Sequence, residues 1–179
     1  MVKLDRVEHT ITLSEGVTAD IADSILTISK ESKSLSREFV SDRVELFKDG
    51  GGLIVRCNLP RRSEKALAGT WAAHIRNMNK GVSDGFTYKM KVVYSHFPMS
   101  LKVEGSQLVV NNYFGEKVPR RANILEGVTV TPKGKSDVIV EGMDKENVGQ
   151  TVANIERACS VKNRDRRVFQ DGIYLVEKF

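Results

Sequence analysis

Short runs of β-branched and alternating apolar residues recur along the chain, and they predict strands. In the first half these runs lie at residues 24–28, 42–47 and 52–56, and in the second half at 106–110, 127–131 and 137–141. The glycines at 50–52 and the Lys-Gly-Lys at 133–135 are typical of hairpin turns. The pattern therefore predicts several short, mostly antiparallel strands in each half.

Two longer segments have apolar residues every three or four positions, which predicts amphipathic helices. The first extends from about Ser63 to Lys80, with Ser63 as its cap and Gly81 as its C-terminal stop. The second extends from about Asp144, a suitable N-cap, to Ser160. The apolar stripes consist of Leu67, Trp71, Ile75 and Met78 in the first helix and of Val148, Val152, Ile155 and Cys159 in the second.

The order of these elements repeats at an offset of about eighty to eighty-five residues. Ala73-His74-Ile75 lies opposite Ala153-Asn154-Ile155, and each half continues into an Asp-Gly-aromatic strand, at 84–88 and 171–174. We therefore predict an α+β fold of two duplicated small domains, each a mostly antiparallel β-sheet packed with one main α-helix. The predicted domains are residues 1–82 and 83–179.

Composition restricts the class of protein. With 179 residues, 40% of them hydrophobic and 28% charged, the chain is globular. Neither an apolar run of membrane-spanning length nor the apolar core of a signal peptide is present, so we expect no membrane partner and a protein that stays where it is made. Cys57 and Cys159 form no CxxC pair and are predicted to be reduced core residues.

Catalytic and cofactor motifs are missing from the sequence. It contains neither a phosphate-binding GxxxxGK[ST] loop nor a GxGxxG opening a helix. His9, His74 and His96 share no metal-ligand spacing with each other or with the cysteines. We predict a protein that is not an enzyme, with no cofactor, no metal site and no small-molecule substrate.

Charge is uneven along the chain, whose net charge is +5. Residues 1–88 contain 13 Lys and Arg against 12 Asp and Glu, whereas residues 89–179 contain 15 against 11. The excess is concentrated after the second helix, where Arg suits phosphate because its planar fork donates two hydrogen bonds. At the matching place the first half has only the milder stretch 81–84. The candidate RNA-binding residues of this segment are Lys162, Asn163, Arg164, Arg166, Arg167 and Gln170.

Two further clusters are candidates. Residues 111–121 contribute Tyr113, Lys117, Arg120 and Arg121, and the hairpin turn contributes Lys133 and Lys135. The alternative for each cluster, the hairpin turn included, is a solvated face without a binding role. The arginines could instead pair with Asp165, Asp171 or Glu156, and Phe169 is interpreted as a core anchor of the segment.

Several segments of the chain also resemble a known family. DKENVGQT at 144–151, ANIE at 153–156 and NRDRRVFQDGIY at 163–174 are similar to the C-terminal signature of the L-six family of large-subunit ribosomal proteins, in its archaeal and eukaryotic form. NYFGEK at 112–117 and GFTYKMKVVYSHFP at 85–98 resemble it too, and the similarity covers essentially the whole chain. The length without a long extension suits an archaeal-type member.

The resemblance implies a function. It implies a cytoplasmic structural constituent of the large ribosomal subunit, which binds large-subunit (23S-type) rRNA through its C-terminal domain near the stalk base, where translation factors dock. Its partners would be that rRNA and neighbouring ribosomal proteins. The alternative is a protein-interaction module that uses the N-terminal domain and is not primarily RNA-binding.

Overall fold

The computed structural model describes residues 5–94 and 97–179. Its first unit, residues 1–84, contains six strands and one long helix among the described residues. The antiparallel sheets have the strand orders β1-β6-β5 and β2-β3-β4. Helix α1 packs on β1, β6 and β3, and its Ile75 is fully buried. The elements are β1 (Arg6–Thr12), β2 (Thr18–Ala22), β3 (Ile25–Lys30), β4 (Lys33–Glu38), β5 (Glu45–Asp49), β6 (Gly52–Asn58) and α1 (Arg62–Ser83).

The second unit, residues 85–179, repeats this order and adds one strand. Its antiparallel sheets have the orders β10-β9-β8 and β11-β12-β7-β13. Helix α2 packs on β7, β10, β12 and β13 and buries Val148, Val152 and Ile155 of the predicted stripe, and Cys159 is buried directly after its last residue. The elements are β7 (Phe86–Val93), β8 (Ser100–Glu104), β9 (Gln107–Asn111), a 3₁₀ turn (Tyr113–Gly115), β10 (Arg120–Asn123), β11 (Val128–Lys133), β12 (Asp137–Gly142), α2 (Lys145–Ala158) and β13 (Gly172–Lys178).

The predicted α+β fold is confirmed, but one part of the predicted repeat is wrong. The strand that follows α1 is β7, which pairs with both β12 and β13 inside the second unit. By position and pairing, β7 is the counterpart of β1, the partner of β6. Strand β13 therefore has no counterpart in the described part of the first unit, and the segment 81–84 does not correspond to the basic segment after α2.

The predicted limits of α1 are also corrected. Gly81 is buried inside the last turn instead of ending the helix, and the amide of Asp84 donates to the carbonyl oxygen of Lys80. At the other end, the Glu64 carboxylate accepts a 2.7 Å hydrogen bond from the Arg61 amide, so that Ser63 lies in the first turn. Leu67 is 37% exposed because the core-facing positions are occupied by Ala68 and Ala72.

Other local predictions are confirmed. In the β5–β6 hairpin, Gly50 and Gly51 have φ values of +53° and +97°, which a two-residue turn between twisted strands requires. The β11–β12 hairpin turns through Gly134, whose φ is also positive. Asp144 caps α2 by accepting a hydrogen bond from the Glu146 amide. His96, one of the three histidines, lies outside the described residues.

The cysteines are free and buried, as predicted. Burial raises the pKa of the Cys159 thiol to about 12, and it also raises the pKa of Cys57. Both side chains therefore pack as neutral thiols at physiological pH. Among the described helices, none has the length and apolar character needed to cross a membrane.

Candidate nucleic-acid interface

The segment between α2 and β13, residues 160–170, is here called the basic loop. Asp165 organises it: its carboxylate accepts a 2.9 Å hydrogen bond from the Arg167 amide, and its carbonyl oxygen accepts from the amides of Val168 and Phe169. Asn163 has a φ of +57°, a left-handed conformation that Asn tolerates better than most residues. The Asp165 carboxylate is thus used by the backbone of the loop.

The basic loop rests on the segment 112–120, here called the support segment. The hydroxyl of Tyr113 lies 2.5 Å from the Cys159 carbonyl oxygen, to which it donates, and 3.0 Å from the Asp171 carbonyl oxygen. These two carbonyls flank the start and the end of the basic loop. Tyr113 is 1% exposed, and burial raises the pKa of its hydroxyl to about 12, so the group remains a donor across the neutral range. One buried side chain therefore holds both ends of the loop.

Arg120 fixes the start of the loop from a second direction. Its guanidinium donates to the carbonyl oxygens of Ala158 and Ser160, at 3.1 and 2.8 Å, at the C-terminal end of α2. It also binds the Glu116 carboxylate with two hydrogen bonds of 2.8 and 2.7 Å and lies 4.1 Å from the centre of the Tyr113 ring. A cation is favourable there because unpaired carbonyls and the helix dipole make a helix C-terminus negative.

An aromatic pair holds the middle of the basic loop. The ring of Phe169, packed against the core of the unit, meets Phe114 edge-to-face at 5.6 Å. The interpretation of Phe169 as an anchor is confirmed. The guanidinium of Arg164 lies 5.0 Å from the Phe114 ring centre and 4.9 Å from that of Phe169. Arg164 is exposed, yet these cation–π contacts fix where its charge is presented.

Most of the predicted RNA-binding residues in and beside the basic loop are exposed to solvent. Arg121 contacts Gln107 and Glu104 at 3.3 and 3.8 Å, but its side chain is 53% exposed. Within the described chain, the Asp165 carboxylate accepts from the Arg167 amide and the Glu156 carboxylate from the Leu175 amide, and neither forms an ion pair with an arginine of the basic loop. The exposed predicted residues of the loop and the support segment are Lys117, Lys162, Asn163, Arg164, Arg166, Arg167 and Gln170.

The third cluster lies at the same end of the sheet as the exit of the basic loop. Asp137 pairs with Lys91 of β7, which pairs with Tyr174 near the start of β13. The turn that carries Lys133 and Lys135 therefore lies two strands away from β13, about 10 Å across the sheet. Both lysines are exposed.

Two of the predicted site residues make their contacts inside the protein. Tyr113 is buried and Arg120 is half-buried, and both are bonded inside the protein, so they position the basic loop instead of facing solvent. The alternation of side chains along β10 could have separated Arg120, on the side of α2, from the exposed Arg121. The sequence does not predict the roles of Phe114 and Glu116, because no local pattern distinguishes them.

Glu116 provides a test of how the support segment is held. Hydrogen bonds from Arg120 lower the pKa of the Glu116 carboxyl, with a smaller contribution from the charge of Arg164, although burial opposes the shift. A lowered pKa in the folded state stabilises the fold above the unfolded pKa, near 4.5, and this stabilisation disappears as the pH falls through the folded value.

We expect Glu116→Gln to lower the free energy of unfolding at pH 7 by about 0.5 kcal/mol, because the pair is partly exposed. Urea titrations between pH 7 and 3 measure the difference from the unmodified chain, which should narrow below pH 4.5. The exposed Glu126, whose carboxylate binds no arginine in the described chain, is the control for Glu→Gln. A difference that stays constant down to pH 3 would contradict the assignment.

These observations define a duplicated α+β protein that presents a folded, cation-rich loop in one of its two copies. Within the described residues, no three His, Cys, Asp or Glu side chains gather where they could hold a metal ion. The sequence profile of the family described as Ribosomal protein L6 matches residues 13–85 and again 97–172. The chain therefore belongs to the ribosomal protein L6 family, a structural and non-enzymatic family, as the sequence predicts.

Two archaeal relatives agree with this assignment. The large ribosomal subunit protein uL6 of Methanococcus vannielii is 42% identical over 172 residues, which cover 96% of this chain and 94% of the relative. The protein of the same name from Methanosphaera stadtmanae is 45% identical over 179 residues, covering 99% and 97%. The archaeal type predicted from the sequence is thus confirmed.

Proposed function

We propose that this chain binds large-subunit rRNA, and that its C-terminal domain, residues 83–179, makes the main contact through the basic loop. As a member of its family the chain is a structural component of the large ribosomal subunit, in the cytoplasm. The observation that supports the proposal most is the pinning of both ends of the basic loop by Tyr113. A pre-ordered loop loses less conformational entropy on binding, so its cations meet phosphates at a small cost.

The proposed mode of recognition is by shape and phosphate spacing. The exposed cations of the basic loop, with Lys117 and Arg121 beside them, would contact phosphate oxygens and release counterions. Asn163 and Gln170 can reach sugar hydroxyls, because RNA displays its 2′-OH groups where side chains have access. Lys133 and Lys135 are proposed as a peripheral contact, and the proposed position in the subunit is near the stalk base.

Photo-crosslinking in assembled ribosomes tests this proposal. Val168, in the basic loop, and Val176, in β13, are both 61% exposed. Benzoylphenylalanine placed at Val168 is expected to crosslink to rRNA, whereas the same label at Val176 is expected to crosslink far less. Equal RNA crosslinking from both positions, or none from Val168, would overturn the assignment of the loop.

A second role, protein binding by the N-terminal domain (residues 1–82), is favoured by one observation. Strand β1 lies at the edge of its described sheet, whereas its counterpart β7 is covered by β13. An open edge offers backbone groups to a strand from another protein. Neighbouring ribosomal proteins are the proposed partners, and a label at the exposed Thr10 in the same experiment is expected to crosslink to protein.

A further inference from the structure

Positive charge in the N-terminal unit is concentrated on α1. Residues 5–60 contain seven Lys and Arg against ten Asp and Glu, a net charge of −3. Residues 61–83, which include α1, contain five against one, a net charge of +4. The near-neutral charge of this unit is therefore the sum of a basic helix and of acidic strands and loops.

The cations of α1 share one face. With 3.6 residues per turn, Arg62 and Lys80 lie opposite the buried side of the helix, which carries Trp71 and Ile75, whereas Lys65 and Arg76 lie at one flank of the exposed face. All four are exposed. In the described part of the chain, the side chains of Arg62, Lys65 and Arg76 have no ion-pair or hydrogen-bond partner.

Between these cations the face is nearly flat. Ala66, Gly69 and Ala73 occupy the middle of the face, and a Cβ atom built on Gly69 would meet no other atom within 4 Å. The fold thus does not require glycine there, although glycine weakens a helix. Lys65 and Arg76 are separated by about 17 Å along the axis, so a partner could lie against the small residues and reach charges at both ends.

The duplicated unit provides an internal comparison. With the helices aligned as Ala73 to Ala153, Gly69 corresponds to Gly149, but Arg76 corresponds to Glu156 and Lys80 to Ser160. Gly69 and Ala73 have small counterparts in α2, although Ala66 corresponds to Glu146, and the cations Arg76 and Lys80 at the C-terminal end of the face have no basic counterpart. Lys65 has a basic counterpart in Lys145, so it is the positive charge of Arg76 and Lys80 that is specific to the first unit and does not follow from the shared fold.

We infer that the outer face of α1 is a second RNA-binding surface, which docks on the shallow groove of a double-helical RNA segment. The inference rests on the proposed function, since it takes RNA as the partner. A-form RNA has a wide, shallow minor groove that is recognised by shape and by contacts to phosphates and 2′-OH groups. Small side chains let the helix approach that surface, and the cations at its two ends bind phosphates of the flanking strands.

The test uses the full chain and protein-free large-subunit rRNA, with affinity measured against salt concentration. The double variant Lys65→Gln, Arg76→Gln is expected to lower the slope of log K against log salt by about 1.5. Affinity near 0.1 M salt should then fall about 30-fold. The matched control, Lys33→Gln with Arg43→Gln, removes one exposed lysine and one exposed arginine from the same unit outside α1 and should leave the slope unchanged.

A steric variant tests the close approach independently of charge. Gly69→Gln is expected to raise Tm, because Gln is the better helix former, and yet to weaken RNA binding several-fold with the slope unchanged. Gly149→Gln makes the same change at the corresponding position of α2, where a Cβ also meets no atom within 4 Å. Undiminished RNA binding by Gly69→Gln would contradict the proposed docking.

Two outcomes of the salt titration overturn this inference. If the α1 double variant keeps the salt slope of the unmodified chain, α1 does not bind phosphates. If the α1 variant and the control lose the same RNA affinity, the effect comes from net charge and not from α1. Protection of Lys65 from acylation in ribosomes, combined with an unchanged RNA slope, would make the partner a protein. The variant Arg166→Ala, Arg167→Ala in the same titration tests the basic loop separately. A failure of the α1 surface can therefore be distinguished from a failure of the basic loop.

Discussion

Replacing Arg164, Arg166 and Arg167 together with alanine is expected to weaken binding to large-subunit rRNA by about 100-fold near 0.1 M salt. Every phosphate that is no longer bound lowers the slope of log K against log salt by roughly 0.7 to 0.9, so the slope should fall by about 2.1 to 2.7. Filter-binding or fluorescence titrations across low to moderate salt measure both quantities. The control is Lys89, Lys102 and Lys178 changed together to alanine, three cations of the same unit that already contact a carboxylate or an aromatic ring.

The three arginines are not equivalent in their effect on the fold. Arg164 lies on the rings of Phe114 and Phe169, and its loss is expected to cost about 0.5–1 kcal/mol in unfolding free energy. Arg166 and Arg167 have no comparable side-chain contact within the described residues, so the variant of these two alone should keep the stability of the unmodified chain. If the triple variant kept the wild-type salt slope, the basic loop would not be the phosphate-binding surface.

How much of the fold the sequence predicts depends on where each strand lies in its sheet. Strand β6 is central and has a continuous apolar run, so the segment 52–56 predicts it. Strand β1 lies at an edge and buries only Ile11, so polar residues dominate its sequence. The same reasoning applies to β2, β4, β8 and β10, which lie at edges and are not predicted by the sequence pattern, whereas the edge strands β5, β11 and β13 keep enough apolar residues to be predicted.

The predicted repeat is correct in outline but wrong at one strand. The Asp-Gly-aromatic motifs at 84–88 and 171–174 look alike because both begin a strand after a helix. Only long-range pairing distinguishes them, since β7 joins β12 and β13 in the sheet of the second unit. Sequence order alone cannot assign a connecting strand to one of two domains, because pairing is decided by residues far away along the chain.

The sequence predicts one part of the candidate site, the exposed cations, but not the residues that hold the loop. Charge identifies the exposed cations of the basic loop, because arginine in a loop suits phosphate whatever the fold. The sequence does not predict the contacts that hold the loop, because the Tyr113 hydroxyl bonds the carbonyl oxygens of Cys159 and Asp171, which are 46 and 58 residues away along the chain. The local sequence, a tyrosine next to lysine and arginine, favours an RNA contact. The interpretation changes only because the structure buries Tyr113.

Tyr113→Phe is expected to weaken RNA binding about 10-fold while leaving the salt slope unchanged. The substitution keeps the ring, with its edge-to-face contact to Phe114 and the Arg120 guanidinium above it, but removes the hydroxyl from two buried carbonyls. An unsatisfied buried acceptor costs about 1–3 kcal/mol in stability. Because every phosphate contact is kept, the weaker binding should arise only from the entropy of ordering a released loop.

Two further variants separate the roles of the ring and the hydroxyl of Tyr113. Tyr113→Ala also removes the ring and is expected to lower the free energy of unfolding by about 3–5 kcal/mol, measured by urea denaturation. Tyr174→Phe is the matched control, because its hydroxyl donates to the Gln170 carbonyl at a position 43% exposed, where water can replace it. A lowered salt slope in Tyr113→Phe would instead mean that the loop cations no longer reach their phosphates, and unchanged affinity would mean that the hydroxyl does not hold the loop.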